Sequence, residues 1–409
     1  MILSPDQSTA LDAVHAFTRG PERLLALSGP AGTGKSTLIG RFLRETDLRV
    51  HLTATTHKAA AVAAALAGGE SASTVHSLFG LRPVNDYSTG KTRLERRRDP
   101  GVSAGALVLI DEASMVDRVL FTRLAKDAEE LDIKLLFVGD PYQLPPVEDG
   151  AGPPAVFDAV PTLQLTTVHR QAADNPIIAL ATAFRGVVDG GRYPVIRPSG
   201  EAIRRVDRAG FGAAIRERFT DAEYAADPDA CRLTAWTNAR VNDLNAYVRG
   251  LLLGSDARRY RFLPGETLEE DQAALTGYRL EVAAADGRRL DLFVPDDMRA
   301  VQRYLGRLRG QAAALKAAGG SDVEVRRAWR TYFETRERLV DLRAPHALTV
   351  HKAQGSTYGH VLVQVEDIAR AADQTGHLLA RLLYVAATRA AQTATFYGAL
   401  PGTLYGPPC

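Results

Sequence analysis

A chain of 409 residues, 45% of them hydrophobic, is too long for one core and can bury several, so two to four domains are expected. With 50 Lys+Arg against 48 Asp+Glu the formal charge is only +2. This excludes a global basic field, and a polyanionic partner would have to be met by local placement of charge. Two cysteines, Cys231 and Cys409, exclude a disulfide framework or a zinc cluster and fit a reducing compartment.

The start, MILSPDQSTA, lacks a basic segment followed by an apolar stretch. No run approaches the roughly 18 to 20 apolar residues of a membrane span. The expectation is a soluble, cytoplasmic protein with no membrane partner.

In chain order, residues 23 to 28 (RLLALS) read as a buried strand, followed by GPAGTGKST and an amphipathic run, LIGRFLRE: strand, glycine loop, helix. Gly29, Gly34, Lys35 and Ser36 satisfy the phosphate-loop pattern in its proper context. In such a loop, glycines at 29, 32 and 34, with Thr33, turn backbone amides toward phosphate oxygens. The helix opening at Lys35, Ser36 and Thr37 adds positive potential. Lys35 reaches the outer phosphates and Ser36 ligates Mg2+. Gln7, in LSPDQSTAL, carries an amide able both to donate to and to accept from an adenine edge, which favours ATP.

Further buried strands are expected at 48–53, 106–110 and 134–138, with helices at 58–67 and 116–131; this alternation predicts a doubly wound parallel sheet. Between them, residues 82–101 carry a Ser88-Thr89-Gly90 turn and an arginine cluster, and a projecting hairpin is expected there. ALVLIDEASMVD places Asp111 at the end of a buried strand, as a carboxylate for the metal shell, with Glu112 beside it to accept the proton of an attacking water. The adjacent pair favours hydrolysis over phosphate transfer to a bound hydroxyl. Asp140 and Gln143, in LLFVGDPYQLPPV, fall at the carboxyl end of the next strand, the edge where ligands bind in open α/β sheets. Gln143 is placed to sense the terminal phosphate.

The strand–helix alternation returns at 163–253 and 346–397, as a second α/β unit interrupted at roughly 255–343. Within the interruption, residues 278–294 read as two strands around Asp286-Gly287, a hairpin signal. Met298, Val301, Leu305, Leu308, Ala312 and Leu315 recur at coiled-coil spacing. Gly319-Gly320 ends that helix, and Ser321 with Glu324 forms a capping box for another. The expectation is a small β module with an antiparallel helical arm. Two arginines of the second unit could stabilise the charge of phosphoryl transfer: Arg170, in LTTVHRQAADNPII, and Arg389, in RLLYVAATRA, at the polar end of a helix buried through Leu379, Leu382, Leu383, Val385 and Ala386.

The order DQSTAL, GPAGTGKST, TATTHKAA, STVHSLFGL, LIDEASMVD, VGDPYQLPPV, VHRQA, TVHKAQGSTYG, YVAATRA resembles the superfamily 1 DNA helicases, specifically the RecD-like and phage Dda-like group. The likeness runs from residue 4 to about 397. It implies two RecA-like parallel-sheet cores with ATP and Mg2+ in the cleft between them, moving 5′ to 3′ along single-stranded DNA and unwinding at single-strand/duplex junctions. The cores would be 1–157, and 158–254 with 344–409. The insert at 82–101 takes the place of a strand-separating pin, and 255–343 that of a small β-barrel module.

By motif match, Arg170 and Arg389 correspond to arginines facing the terminal phosphate. Gly355 and Ser356 would sit near the nucleotide, while Thr349 and His351 face the DNA and Lys352 could serve either. First-core DNA contacts would come from Thr55, Thr56, His57, Lys58, Thr74 and His76. Relatives usually carry proline where Thr55 stands, so a ring that packs on a base or braces the pin is missing here. The arm is longer than a barrel requires, and bracing the pin or recruiting a DNA-processing protein are the roles left for it. A monomer is expected. The competing readings are a DNA-stimulated ATP switch that does not unwind and a helicase of opposite polarity.

Overall fold

The computed structural model describes residues 3–56, 59–60, 64, 72–146, 154–168, 175–253, 267–270, 273–283, 289–295, 297–339 and 345–402. The chain divides into two compact units, one of residues 1–81, 96–248 and 345–409 and the other of residues 82–95 and 249–344.

The first half runs α1 (Pro5–Arg19), β1 (Leu24–Ser28), α2 (Lys35–Glu45), β2 (Val50–Ala54), β3 (Ala72–Thr74), α3 (Val75–Leu78), β4 (Leu81–Asp86), β5 (Lys91–Arg96), β6 (Leu107–Asp111), α4 (Arg118–Glu130), β7 (Lys134–Gly139) and β8 (Thr162–Gln164). Six of these strands form a parallel sheet in the order β3-β2-β6-β7-β1-β8. Its central strands are apolar throughout, as a parallel sheet covered on both faces demands. Leu107 to Ile110 of β6 are all buried, and one layer packs α1 and α2 through Leu11, Val14, Leu38 and Phe42 onto Leu27, Leu109 and Leu136. The expected helix at 58–67 falls largely outside the described residues.

The second half runs α5 (Pro176–Val188), β9 (Ile203–Val206), α6 (Arg208–Phe219), β10 (Cys231–Ala235), α7 (Asn238–Leu253), β11 (Thr267–Glu270), β12 (Ala273–Ala283), β13 (Arg289–Pro295), α8 (Met298–Ala317), α9 (Asp322–Arg338), β14 (Ala347–Thr349), α10 (Val350–Ala353), β15 (Tyr358–Gln364), α11 (Gly376–Thr388) and β16 (Ala390–Tyr397). Five strands make a second parallel sheet, β14-β10-β15-β16-β9. It is completed by chain segments on either side of the insertion, since β14 pairs with β10 from Ala347↔Leu233 to Thr349↔Ala235. Leu379, Leu382, Leu383, Val385 and Ala386 of α11 are fully buried against it. Among the described residues no helix is long and apolar enough to cross a membrane.

The other unit holds the β4–β5 hairpin, the antiparallel sheet β11-β12-β13 and the helix pair α8–α9. The hairpin turn falls where the sequence marks it, with Gly90 at φ 69° and Asp86 Oδ1 accepting from Ser88 N at 2.9 Å. A Cβ on Gly90 would stand 2.3 Å from the Trp329 ring, so hairpin and arm are fitted together. Tyr87 meets Phe333 edge-on, with ring centroids 5.8 Å apart, and Lys316 Nζ donates to Ser88 O at 3.0 Å. The Ser321–Glu324 capping box is formed. The described part of the β module is a three-stranded sheet, and its Asp286-Gly287 turn lies outside the described residues.

Candidate nucleotide and nucleic-acid site

The phosphate loop leaves β1 after Ser28 and enters α2 at Lys35. Gly32 (φ 83°) and Gly34 (φ 75°) occupy left-handed backbone, which strains any residue with a Cβ. Lys35 Nζ donates to the carbonyls of Gly29 (2.5 Å) and Pro30 (3.2 Å). Thr33 Oγ1 donates to Pro30 O at 2.9 Å, so the loop is tied to itself, while Gly32 and Ser36 stay exposed and Thr37 is half-buried. Gln7 is buried under the loop. Its Nε2 donates to Thr33 O at 3.0 Å and its Oε1 accepts from Ser4 N at 3.0 Å, so Gln7 ties α1 to the phosphate loop.

Asp111 ends β6, and Glu112 comes next in left-handed backbone at φ 53°, an unfavourable conformation for a residue with a side chain. Burial raises the Asp111 carboxyl above its ordinary range, opposed by the Glu112 N–H and by the charge of Lys35. Burial and the Asp111 charge push Glu112 up to about 7, with Arg389 and Lys35 pulling it down and Asp140 pushing it up. Two oxygen donors, the exposed Ser36 hydroxyl and a carboxylate short of positive charge at Asp111, suit a hard cation such as Mg2+.

The opposite wall comes from the second sheet. Gly355 turns at φ 74°, and a Cβ there would lie 3.8 to 3.9 Å from Glu112 Cγ and Oε1. Arg389 is buried at the C-cap of α11. Its Nη1 donates to Ser356 O at 2.9 Å and its Nη2 to Thr388 Oγ1 at 3.1 Å. Lys35, Asp111, Glu112, Gly355, Ser356 and Arg389 are thus gathered in one place. Arg170, His57 and Lys58 lie outside the described residues.

Three side chains that the sequence did not reveal clasp the two walls together. Tyr384 of α11, fully buried, donates its hydroxyl proton to Asp140 Oδ2 and accepts from the phosphate-loop amide of Ala31 at 3.4 Å. Arg381, one turn earlier, donates to the carbonyls of Pro141 and, at 2.8 Å, Gln143. Gln354 Nε2 donates to Ser114 Oγ (3.0 Å) and Leu144 O (3.2 Å). Gln143 itself is buried, and its Oε1 has no hydrogen-bond partner among the described residues. A buried polar run inside an apolar helix, Arg381 and Tyr384 three residues apart, was the available signal.

Edge strand β3 ends in Thr74, whose Oγ1 accepts from Ser77 N at 3.1 Å, and edge strand β14 ends in Thr349, whose Oγ1 accepts from Lys352 N at 3.3 Å. Both are N-caps of one-turn helices. His76 and His351 occupy matching positions, each half-buried and lowered by burial below the ordinary histidine range, so both are neutral at pH 7. Lys352 is exposed. Thr56 Oγ1 accepts from Ala59 N at 3.2 Å, and Thr55 Oγ1 donates to Met115 Sδ at 3.6 Å.

Two family models match the chain: the AAA domain over residues 2–193 and the UvrD-like helicase C-terminal domain over residues 345–397. They fall on the two walls of the cleft. By these matches the chain resembles the superfamily 1 helicases of the RecD-like and Dda-like group.

It is 30% identical over 402 residues to the ATP-dependent RecD2 DNA helicase of Deinococcus radiodurans, covering 95% of this chain and 48% of that protein. It is 28% identical to the ATP-dependent DNA helicase dda of Enterobacteria phage T4, over 68% of this chain and 63% of that one. The chain therefore spans about half to under two thirds of these relatives' length. A solved structure of Pif1 helicases at forked double-stranded DNA shares the fold, with a TM-score of 0.50 at 16% identity over 100% of this chain and 95% of that chain.

Proposed function

We propose that the protein is an ATP-dependent DNA helicase that moves 5′ to 3′ on single-stranded DNA and unwinds duplex at a junction. The observation that carries this reading is the pairing of Glu112 on one wall with Gly355 and Arg389 on the other, across a phosphate loop. Such a site depends on two lobes for turnover, so nucleotide state and lobe position are linked.

In this reading the loop amides and Lys35 hold the β- and γ-phosphates. Ser36 and Asp111 hold Mg2+, which supplies charge neutralisation. Gln143 orients the attacking water, Glu112 accepts its proton, and Arg389, together with Arg170, stabilises the charge that develops. Gln7 and the loop it ties form the adenine side. Thr55, Thr56, His57, Lys58, Thr74 and His76 on one core and Thr349, His351 and Lys352 on the other track the DNA strand. Four of these threonines shape backbone turns or pack locally, which would present main-chain and imidazole donors to phosphate. ATP closes the cleft, hydrolysis reopens it, and alternating grip advances the strand. One base-pair step requires about 1.4 kcal/mol, within reach of a braced hairpin acting as a wedge. For the arm, the packing of Trp329, Phe333 and Lys316 on the hairpin supports a bracing role over recruitment of a protein. A monomer acting in the cytoplasm completes the reading.

Strand displacement on partial duplexes with 5′ or 3′ tails tests the whole. Unwinding from the 5′ tail alone is expected, unwinding from the 3′ tail reverses the polarity, and DNA-stimulated ATP hydrolysis without displacement leaves only a switch. Lys35→Ala should lower ATP turnover at least ~100-fold with the thermal transition intact, and undiminished turnover would overturn the loop assignment.

A further inference from the structure

The helical arm carries a charge pattern that bracing the pin does not use. From Asp297 to Arg338 there are ten cations and five anions, a net of +5 in a chain whose total is +2. Within this arm α8 stands apart. Between Met298 and Ser321 it has five cations and no acidic residue. Its buried stripe is Val301, Tyr304, Leu308 and Ala312. At 100° per residue, Arg299, Arg303 and Arg307 form a line at four-residue spacing on the opposite side.

All three arginines are exposed, and Arg303 keeps 69% of its side-chain surface despite an ion pair with Asp297 at 3.6 Å. Arg307 lies along the Tyr304 ring, 5.4 Å from its centroid, while staying exposed, whereas Lys316, Arg330 and Arg336 lie against the hairpin or against Phe333 and Tyr332.

A helix face that merely meets water usually mixes signs, because Glu–Arg pairs four apart support a helix whereas like charges at that spacing weaken it. Here the like-charged line is kept, and exposed Gly306 and Gly310 (a Cβ on either would meet nothing within 4 Å) weaken the helix further. The sequence therefore maintains this face against helix stability, which points to a polyanion as its partner.

We infer that the outward face of α8 is a rail for the phosphate backbone of the duplex segment at the junction, an inference that rests on the helicase reading above. Arg299 to Arg307 span ~12 Å of helix axis, over which one strand of B-DNA presents about three to four phosphates at ~3.4 Å rise. Guanidinium groups suit this use because their planar forks pair with phosphate in two-point contacts. The same unit holds the hairpin, so a duplex lying on this rail would be held by the unit that splits it.

The test compares the wild type with Arg299→Gln/Arg303→Gln/Arg307→Gln in the full chain. Glutamine keeps helix propensity and removes the charge, and the thermal transition checks folding. Binding to a fork with a single-stranded tail, and to the tail alone, is measured by fluorescence anisotropy across a salt series. For the triple variant, tail affinity and tail-stimulated ATP turnover should be unchanged. Fork affinity should fall on the order of tenfold or more, and the slope of log K against log salt for the fork should flatten by roughly 2 to 3, near 0.9 per lost phosphate contact.

An unchanged fork slope overturns the rail, whether the face then serves an acidic protein or only water. An equal loss on fork and tail also overturns it, because the arginines would then act on the single strand. Failure of the helicase reading would show separately, as wild-type protein that neither binds the tail nor hydrolyses ATP in response to it.

Discussion

Thr74-Val75-His76 and Thr349-Val350-His351 close edge strands of two different sheets with the same device. In each, a threonine caps a one-turn helix, a valine is fully buried beneath it, and a histidine is kept neutral by burial. Beyond the histidines the two paths diverge. After His76 the chain turns through Phe79 and Gly80 into the β4–β5 hairpin. After His351 it passes Gln354, which reaches across to Ser114 and Leu144, and then Gly355 and Ser356, which meet Glu112 and Arg389. The comparison teaches that the same strand-end turn serves an edge of each sheet and that the few residues behind it decide its use. One turn leads to the element proposed to split DNA, and the other leads back into the nucleotide cleft.

Changes behind the second turn should therefore reach ATP chemistry, and changes behind the first should not. The largest effect is expected at Arg389→Ala, a loss of ATP turnover of about 10³- to 10⁵-fold in a steady-state assay with saturating DNA; a loss under tenfold would detach the second wall from catalysis.

Glu112→Gln should lower kcat by about 10² to 10⁴. In wild type, kcat/KM should rise with pH around an apparent value near 7, because the base acts only when ionised and burial beside Asp111 raises it to about 7. Since folding raises this carboxyl, its contribution favours the folded state at low pH and is lost as pH rises through the folded value. Glu112→Gln should accordingly melt higher than wild type at pH 8, and the difference should vanish toward pH 4. Equal melting curves at pH 8 would show that Glu112 is not held in an unfavourable site.

Tyr384→Phe keeps the ring and removes the bonds to Asp140 and Ala31. A loss of about 1 to 3 kcal/mol in chemical denaturation and a weakened stimulation of ATP turnover by DNA are expected, with turnover in the absence of DNA retained. Gly90→Ala, behind the first turn, should spare DNA-stimulated ATP turnover and reduce strand displacement, because the added Cβ collides with Trp329. The smallest effects sharpen the likeness itself. Thr74→Val and Thr349→Val should each cost about 1 kcal/mol through loss of a cap, and unequal costs would show that the two turns are not the same device.

Much of this was legible in the sequence because its physical signal is local. The glycine loop, the capping box at Ser321 and Glu324, the turn at Gly90 and the apolar period of α8 each arise from backbone conformation or from periodicity over a few residues. Asp111 and Glu112 were legible because a carboxylate directly after a fully apolar strand sits at the edge where a parallel sheet binds ligands. Tyr384, Arg381 and Gln354 were not, since each bonds to a residue more than 200 positions away, and the polar pair in α11 marks a buried contact without naming its partner.

The sequence by itself determined the phosphate loop, the main buried strands and the helices of the arm, and it carried the order of motifs by which the chain resembles superfamily 1 helicases. Tertiary structure alone decided which wall meets which residue, because burial, desolvation and long-range hydrogen bonds exist only once both sheets are assembled. That assembly raises Glu112 to about 7 and sets Arg389 beside it.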